Sequence, residues 1–269
     1  ENLALDLHRK MGHINYRTLR MMYNKGYFGD KVKVPKKDWS SVPVCSACIA
    51  GKGTALPIGQ KVHATPQATQ PFQIVSFDGC GPISPPTPEG FRYMFPFICT
   101  YSSYVIPTFS KTKDENAVLD CIKEFYSIVE ASEFKSVKKI IVRIARSDRD
   151  QAMCGKLVSD FFKSKGTGRQ LTNPSSSAID NPYSENLNHH VFQLARAIML
   201  GPALPKWTWG KAVKHALFLW NRTPKLKNGW KSPYEIVAGK LPDLSNLRIF
   251  GSRCWYNQQA DLKRGDKAA

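Results

Sequence analysis
A mixed α/β layer core of about 130–150 residues, preceded by a small helical metal-binding module, is the fold class this sequence predicts. Three observations predict it. Short apolar runs rich in β-branched and aromatic residues occupy the middle of the chain, and segments with helical apolar spacing are interleaved with them. Two pairs of soft metal donors fall within the first fifty residues.

Residues 1–53 read as a short helical module, with Leu3, Leu5 and Leu7, then Asn15 to Asn24 carrying Leu19, Met21 and Met22, ending near Gly26. His8-x4-His13 places two imidazoles on one face of a helical stretch, and Cys45-x2-Cys48, after thirty-one intervening residues, places two thiolates on one turn. Tetrahedral zinc takes that donor set. Two ligand pairs bridged by a loop also let a segment without a sizeable core of its own fold. Four protein ligands close the site, so a structural zinc is expected there. Residues 54–71 are rich in Gly, Pro, Thr and Gln with little periodicity, which is linker composition.

From Phe72 onward the pattern predicts strands at Phe72–Phe77, Tyr93–Thr100, Tyr104–Phe109 and Lys139–Ile144. Helices are predicted over Asp114–Val129, Lys156–Lys163, Tyr183–Leu200 and Thr208–Asn221; in the first of them Val118, Cys121, Ile122, Phe125 and Ile128 recur at helical spacing. The first three strands are expected to pair as a meander, after which strand and helix alternate. Asn173–Asp180 is a polar loop placed where a mobile active-site segment would sit. This core spans 72–222. Residues 223–269 read as one more helix and a strand or two, around Leu247–Gly251 and Cys254–Tyr256, followed by a charged tail.

The 269 residues are 42% hydrophobic and 11% aromatic, enough to bury a core, which excludes disorder for most of the chain. No run of eighteen apolar residues occurs and the chain opens on Glu1 without a leader, so a soluble piece of something longer is expected. The net charge of +18 argues for a polyanionic partner. Its distribution sharpens the point: 11 basic against 4 acidic residues in 1–66, 14 against 13 in 67–192, and 14 against 4 in 193–269. A nearly neutral middle between basic flanks suits a carboxylate-rich site whose neighbours hold phosphates. Seven scattered cysteines, an odd number, point to a reducing compartment.

Three carboxylates then stand out. Asp78 closes the first strand in Ser76-Phe77-Asp78-Gly79, Asp148 follows the fourth in Ser147-Asp148-Arg149-Asp150, and Glu185 lies at the start of the helix opened by Asn181-Pro182. Oxygen ligands from separate elements converging on one sheet edge are what two magnesium ions require for in-line phosphoryl transfer. Downstream, Lys206, Lys211, Lys214, Arg222, Lys225, Lys227 and Lys231 are interleaved with Trp207, Trp209, Trp220 and Trp230. Cations with indoles suit nucleic acid, although Trp209 and Trp220 share helical spacing with Ala212, Val213, Ala216 and Leu217 and fit a core better. Lys31–Lys37 reads either as a solvated charge run or as a nuclear address.

The order His8/His13, Cys45/Cys48 with Gly51-Lys52, Asp78 with Gly81-Pro82, Ser147-Asp148 and Glu185 resembles the integrases of copia-type long-terminal-repeat retrotransposons. Trp209-Gly210-Lys211, Asn221-Arg222-Thr223-Pro224, Ser232-Pro233-Tyr234-Glu235 and Leu247–Gly251 extend the match, so that it covers about Leu7 to Gly265. The resemblance implies an HHCC zinc module and a ribonuclease H-like catalytic core with Asp78, Asp148 and Glu185 as the magnesium- or manganese-binding triad. It also implies 3′-end processing and strand transfer without a covalent protein–DNA intermediate. DNA contacts are expected from Lys206, Lys211, Lys214, Arg196 and His189. Element-end and target DNA, further copies of the chain and a chromatin tether are the implied partners. The implied site of action is the nucleus, after assembly in cytoplasmic particles.

The sequence departs from the family pattern in places. Asp150 stands where a glycine is usual, Ala152-Met153 replace an acidic-aromatic pair, and Asn181-Pro182 replace Asn-Gly. Basic residues after the third acid have become Asn186, Asn188, His189 and His190. Asp150 is therefore either a spare ligand or a distortion of the site. The two histidines are either solvated or phosphate contacts. Alongside an active integrase stand two other readings: a captured or decayed copy that only binds DNA or chromatin, and a ribonuclease H, which the zinc module and downstream motifs oppose.

Overall fold
The computed structural model describes residues 2–29, 31–51, 67–131, 140–171 and 182–253, with the backbone alone for 182–186. The expected polar loop at 173–180, most of the linker, Lys52, and Cys254–Tyr256 with the charged tail lie outside these residues. Four short helices come first: α1 (Leu3–Lys10), α2 (Tyr16–Asn24), α3 (Lys36–Ser40) and α4 (Ser46–Gly51). Asn2 and Asn15 cap the first two, each side chain accepting a backbone N–H three residues on, from Leu5 and Thr18. The core follows as β1 (Ile74–Phe77), β2 (Tyr93–Cys99), β3 (Val105–Ser110), α5 (Glu115–Ala131), β4 (Ile144–Ser147), α6 (Gln151–Cys154), α7 (Lys156–Ser164), β5 (Gly168–Leu171), α8 (Pro182–Leu200) and α9 (Trp209–Arg222). A last helix, α10, covers Pro233–Ala238.

The sheet order is β3-β2-β1-β4-β5: an antiparallel meander of three strands, then two strands parallel to β1. This is the ribonuclease H-like α/β arrangement expected from the sequence. Its faces are read directly off the strands. Along β2, Phe95, Phe97 and Cys99 point into one apolar layer with Val118, Ile122 and Phe125 of α5, while Met94 and Ile98 point into another with Val191 of α8 and Ala216 of α9. Helices thus cover both faces, which is why β2 reads as an uninterrupted apolar run. On the α5 side, Phe77, Phe97 and Phe125 stack in series, with ring centroids 5.0 and 4.4 Å apart.

Three expectations need correction. The fourth strand runs from Ile144 to Ser147, not Lys139 to Ile144; its register is set by parallel pairing with Ile74–Ser76 and with β5. The pattern hid it because the strand carries a buried cation, Arg146, whose Nε and Nη2 donate to Gln170 Oε1 at 3.1 and 3.0 Å. The fifth strand, Gly168–Leu171, went unread because it is a half-exposed polar edge. Leu247–Phe250 forms no strand.

The first helices do not build a core of their own. Ala4, Leu7, Met11, Leu19 and Met22 share one buried cluster with Leu187 and Ile198 of α8 and with Leu217 and Leu219 of α9. Gly12 makes this docking close: its φ is +59°, and a Cβ there would lie 2.5 Å from Leu219 Cδ1. Tyr27 extends the contact by donating its hydroxyl to Glu235 of α10. Ser232-Pro233-Tyr234-Glu235 is a capping box with proline at the first helical turn, which gives that motif a local physical reason. No helix among the described residues is long and apolar enough to cross a membrane.

Candidate active site and metal centre
His8, on the last turn of α1, bonds through Nδ1 to the Ile14 carbonyl at 2.8 Å, which fixes the tautomer and turns Nε2 and its lone pair toward the other donors. The helix ends at Lys10, so His13 does not share its face as the spacing suggested. Instead Gly12 and His13 both turn through positive φ, +59° and +64°, and this reversal carries the second imidazole back beside the first. His13 Nδ1 lies 3.2 Å from His8 Nε2 and 3.1 Å from Cys45 Sγ, and His8 Nε2 lies 3.2 Å from Cys48 Sγ. All four donor atoms fall within 4.8 Å of one another. Tetrahedral zinc with ordinary Zn–N and Zn–S bonds would separate its ligand atoms by about 3.3–3.8 Å, so the set fits a four-ligand metal site. Tyr16 stacks on His8 with centroids 4.5 Å apart. Burial, reinforced by the negative charges of Cys45 and Cys48, pushes its phenol up to about 12.

The second candidate centre lies at the sheet edge where β1 and β4 end. Their parallel register pairs Val75 with Ala145 and Ser76 with Arg146, so Asp78 and Asp148, each two residues further, leave adjacent strands at the same level. Neighbouring strands lie about 4.8 Å apart, so the two residues follow on adjacent strand ends at one edge of the sheet. Above this edge passes α8. Asn188, on its second turn, brings Nδ2 to 3.5 Å from Asp78 Oδ2, and the backbone of Glu185 precedes Asn188 by one turn on the same side. Pro182 opens the helix, a position where proline's missing N–H costs nothing. Cys80 stands beside Asp78; burial first, then the Asp78 charge, pushes its thiol up to about 11, so it stays protonated at neutral pH.

Asp150 does not require the left-handed backbone that glycine would supply, since its φ is −57°. It caps α6, Oδ1 accepting from Ala152 N–H at 3.0 Å, and its own N–H donates to Asp148 Oδ1 at 3.3 Å. Its Oδ2 pairs with Lys113 Nζ at 2.8 Å. Burial alone would lower the Lys113 pKa, yet the hydrogen bond and charge of Asp150, with the charges of Asp148 and Asp78, raise it. The Lys113 stem crosses Gly79: a Cβ on that glycine would meet Lys113 Cε at 3.0 Å and Phe95 Cε1 at 2.7 Å. Gly79 is thus small because the lysine and an aromatic ring occupy the space beside it.

Lys113 is the residue that sequence reasoning missed. Two antiparallel pairings make β3 parallel to β1, so the turn after β3 arrives at the same edge as Asp78. The predicted meander carried that signal. The expected DNA contacts Arg196, Lys206, Lys211, Lys214 and His189 are all exposed. Lys211 pairs with Glu89 at 3.0 Å, Lys214 lies over the Phe109 ring at 4.9 Å, and Gln193 donates to His189 Nε2 at 2.9 Å. Trp209 and Trp220 serve packing, as their spacing suggested, with indole N–H groups donating to the Pro85 and Ser103 carbonyls.

Comparison with known proteins adds relatives. The chain is 24% identical over 256 residues to the retrovirus-related Pol polyprotein from transposon TNT 1-94 of Nicotiana tabacum, covering 95% of this chain and 18% of that protein. It is 25% identical over 229 residues to the corresponding polyprotein from transposon RE1 of Arabidopsis thaliana, covering 83% of this chain and 14% of the relative. The chain therefore spans less than a fifth of either relative. Among solved structures, the simian T-cell lymphotropic virus intasome in complex with the PP2A regulatory subunit B56 gamma shares the fold. Its TM-score is 0.52 at 14% identity, covering 87% of this chain and 73% of that one. No family model matches. The transposon relatives bear out the resemblance to copia-type retrotransposon Pol polyproteins.

Proposed function
We propose that this chain is the integrase portion of a copia-type retrotransposon polyprotein and catalyses 3′-end processing and strand transfer of element DNA. The observation that carries the reading is the β1/β4 register, which sets Asp78 and Asp148 level on one sheet edge beneath the helix bearing Glu185. These three side chains are the proposed ligands of two magnesium ions, or manganese in their place, which supply charge stabilisation for in-line displacement at phosphorus. The rest falls to the chain's own groups. Asn188 orients Asp78 from α8, while Cys80, held as a thiol, offers no competing nucleophile. The exposed cations Arg196, Lys206, Lys211 and Lys214, with His189, hold the phosphates of element-end and target DNA. His8, His13, Cys45 and Cys48 hold a structural zinc that docks the first helices against α8 and α9. Work on two DNA ends calls for more than one copy of the chain.

The test is strand joining by the full chain on a branched DNA that mimics the integration product, in magnesium and in manganese, beside Asp78→Asn. Metal-dependent resealing that disappears in the variant is expected. A folded, DNA-binding protein that joins nothing in either metal would overturn strand transfer and leave the reading of a captured fold that only binds DNA.

A further inference from the structure
We propose that Lys113 and Asp150 form a self-neutralising pair whose members act in opposite directions on divalent-ion binding at the Asp78–Asp148–Glu185 edge, the lysine opposing the ion and the aspartate favouring it. The inference rests on the metal reading of that edge given above. Both oxygens of Asp150 are committed, Oδ1 to the N-terminus of α6 and Oδ2 to the lysine 2.8 Å away. It therefore contributes charge to the site without serving as a ligand. Lys113 reaches the edge from the turn after β3, its stem packed over Gly79, the residue next to Asp78. Its side chain is about one quarter exposed, so its charge acts through a medium drier than bulk water.

Two opposite charges fixed side by side nearly cancel at a third point, but each alone does not. A unit charge about 7 Å from a divalent ion, even at the dielectric constant of water, shifts its binding by about five- to tenfold, in a direction given by its sign. Removing Lys113 alone should therefore tighten the ion, and removing the Asp150 charge alone should loosen it. Removing both should restore the wild-type affinity. A scaffold role makes a different prediction, since breaking a structural salt bridge from either side would disorder the edge and weaken the ion in both variants.

The measurement is the Mn2+ isotherm of the zinc-loaded full chain, read from the electron paramagnetic resonance of free Mn2+, with Asp78→Asn defining binding elsewhere. Lys113→Met keeps the stem over Gly79, and Asp150→Asn keeps an oxygen to cap α6, so both fold defects are minimised. The expected result is about five- to tenfold tighter binding in Lys113→Met and a similar weakening in Asp150→Asn. The double variant should lie within about twofold of wild type, and Lys113→Arg should be unchanged. Single variants that both weaken the ion, or neither of which moves it, overturn the pair's role while leaving the metal site in place. A wild-type chain with no Mn2+ binding sensitive to Asp78→Asn overturns the underlying metal reading, and this proposal with it.

Discussion
Asn221 offers the sharpest test of how the core is held. It sits at the end of α9, 5% exposed, with its amide laid against the first residue of β3. Its Oδ1 accepts from Val105 N–H and its Nδ2 donates to Val105 C=O, both at 2.8 Å. β3 is an edge of the sheet, so these outward peptide groups have no strand to pair with, and the amide stands in for one. Asn221→Ala leaves a donor and an acceptor buried and unsatisfied, each costing about 1–3 kcal/mol, so a loss of about 2–6 kcal/mol is expected. That is a large part of the 5–15 kcal/mol typical of a folded domain. Urea denaturation gives the loss, with Asn228→Ala as control. Asn228 donates one bond to the Ser102 carbonyl at 2.8 Å from a half-exposed position, so its removal should cost about 1 kcal/mol or less. Amide hydrogen exchange at Val105 should rise in the first variant alone. If both variants lose the same small amount, water satisfies the strand edge and the argument fails.

Two further outcomes follow from the His/Cys cluster and from a half-buried base. If the four donors hold zinc as proposed, Cys48→Ser should release it and lower the thermal midpoint, because the first helices that carry the donors share their core with α8 and α9; retention of stoichiometric zinc would show that the ligand set is wrong. His215 stacks on Phe250 and Phe218, with centroids 5.0 and 6.0 Å away, and burial depresses its pKa. Its neutral form is favoured in the folded chain, so its contribution is intact above the unfolded value of about 6.5 and is lost as pH falls through the depressed folded value. His215→Phe keeps the stacking and removes the proton site. It should therefore lose less stability than wild type between pH 7.5 and 5.5 in paired urea titrations, and equal losses would exclude His215 as a source of the acid sensitivity.

Local periodicity made much of the molecule legible. Helical spacing of Val118, Cys121, Ile122 and Phe125 identified α5 to within two residues, because one apolar face at a period of 3.6 is a property of the segment itself. The meander was legible for the same reason. Donor spacing picked out His8, His13, Cys45 and Cys48, since zinc constrains residue type more tightly than it constrains backbone shape. The strand ends supplied Asp78 and Asp148 as neighbours once their two strands were taken to share one sheet.

What tertiary structure decided involves partners distant in sequence. β5 and the true limits of β4 depend on pairing with strands elsewhere, and the buried Arg146 is tolerated only because Gln170 comes to lie beside it. The left-handed turn of His13 brings its ring beside Cys45, thirty-two residues on, a contact that spacing along one helix does not reveal. Asp150 read in isolation as a spare ligand or a distortion of the site; in the fold it is a helix cap neutralised by Lys113, thirty-seven residues earlier. The sequence by itself determined the main helices, the meander strands and the donor types, because apolar period and ligand chemistry are local. Charge balance at the Asp78–Asp148 edge and the core shared by the first helices were decided by sheet order and helix packing, because Coulomb forces and apolar burial act between whichever groups the fold brings close.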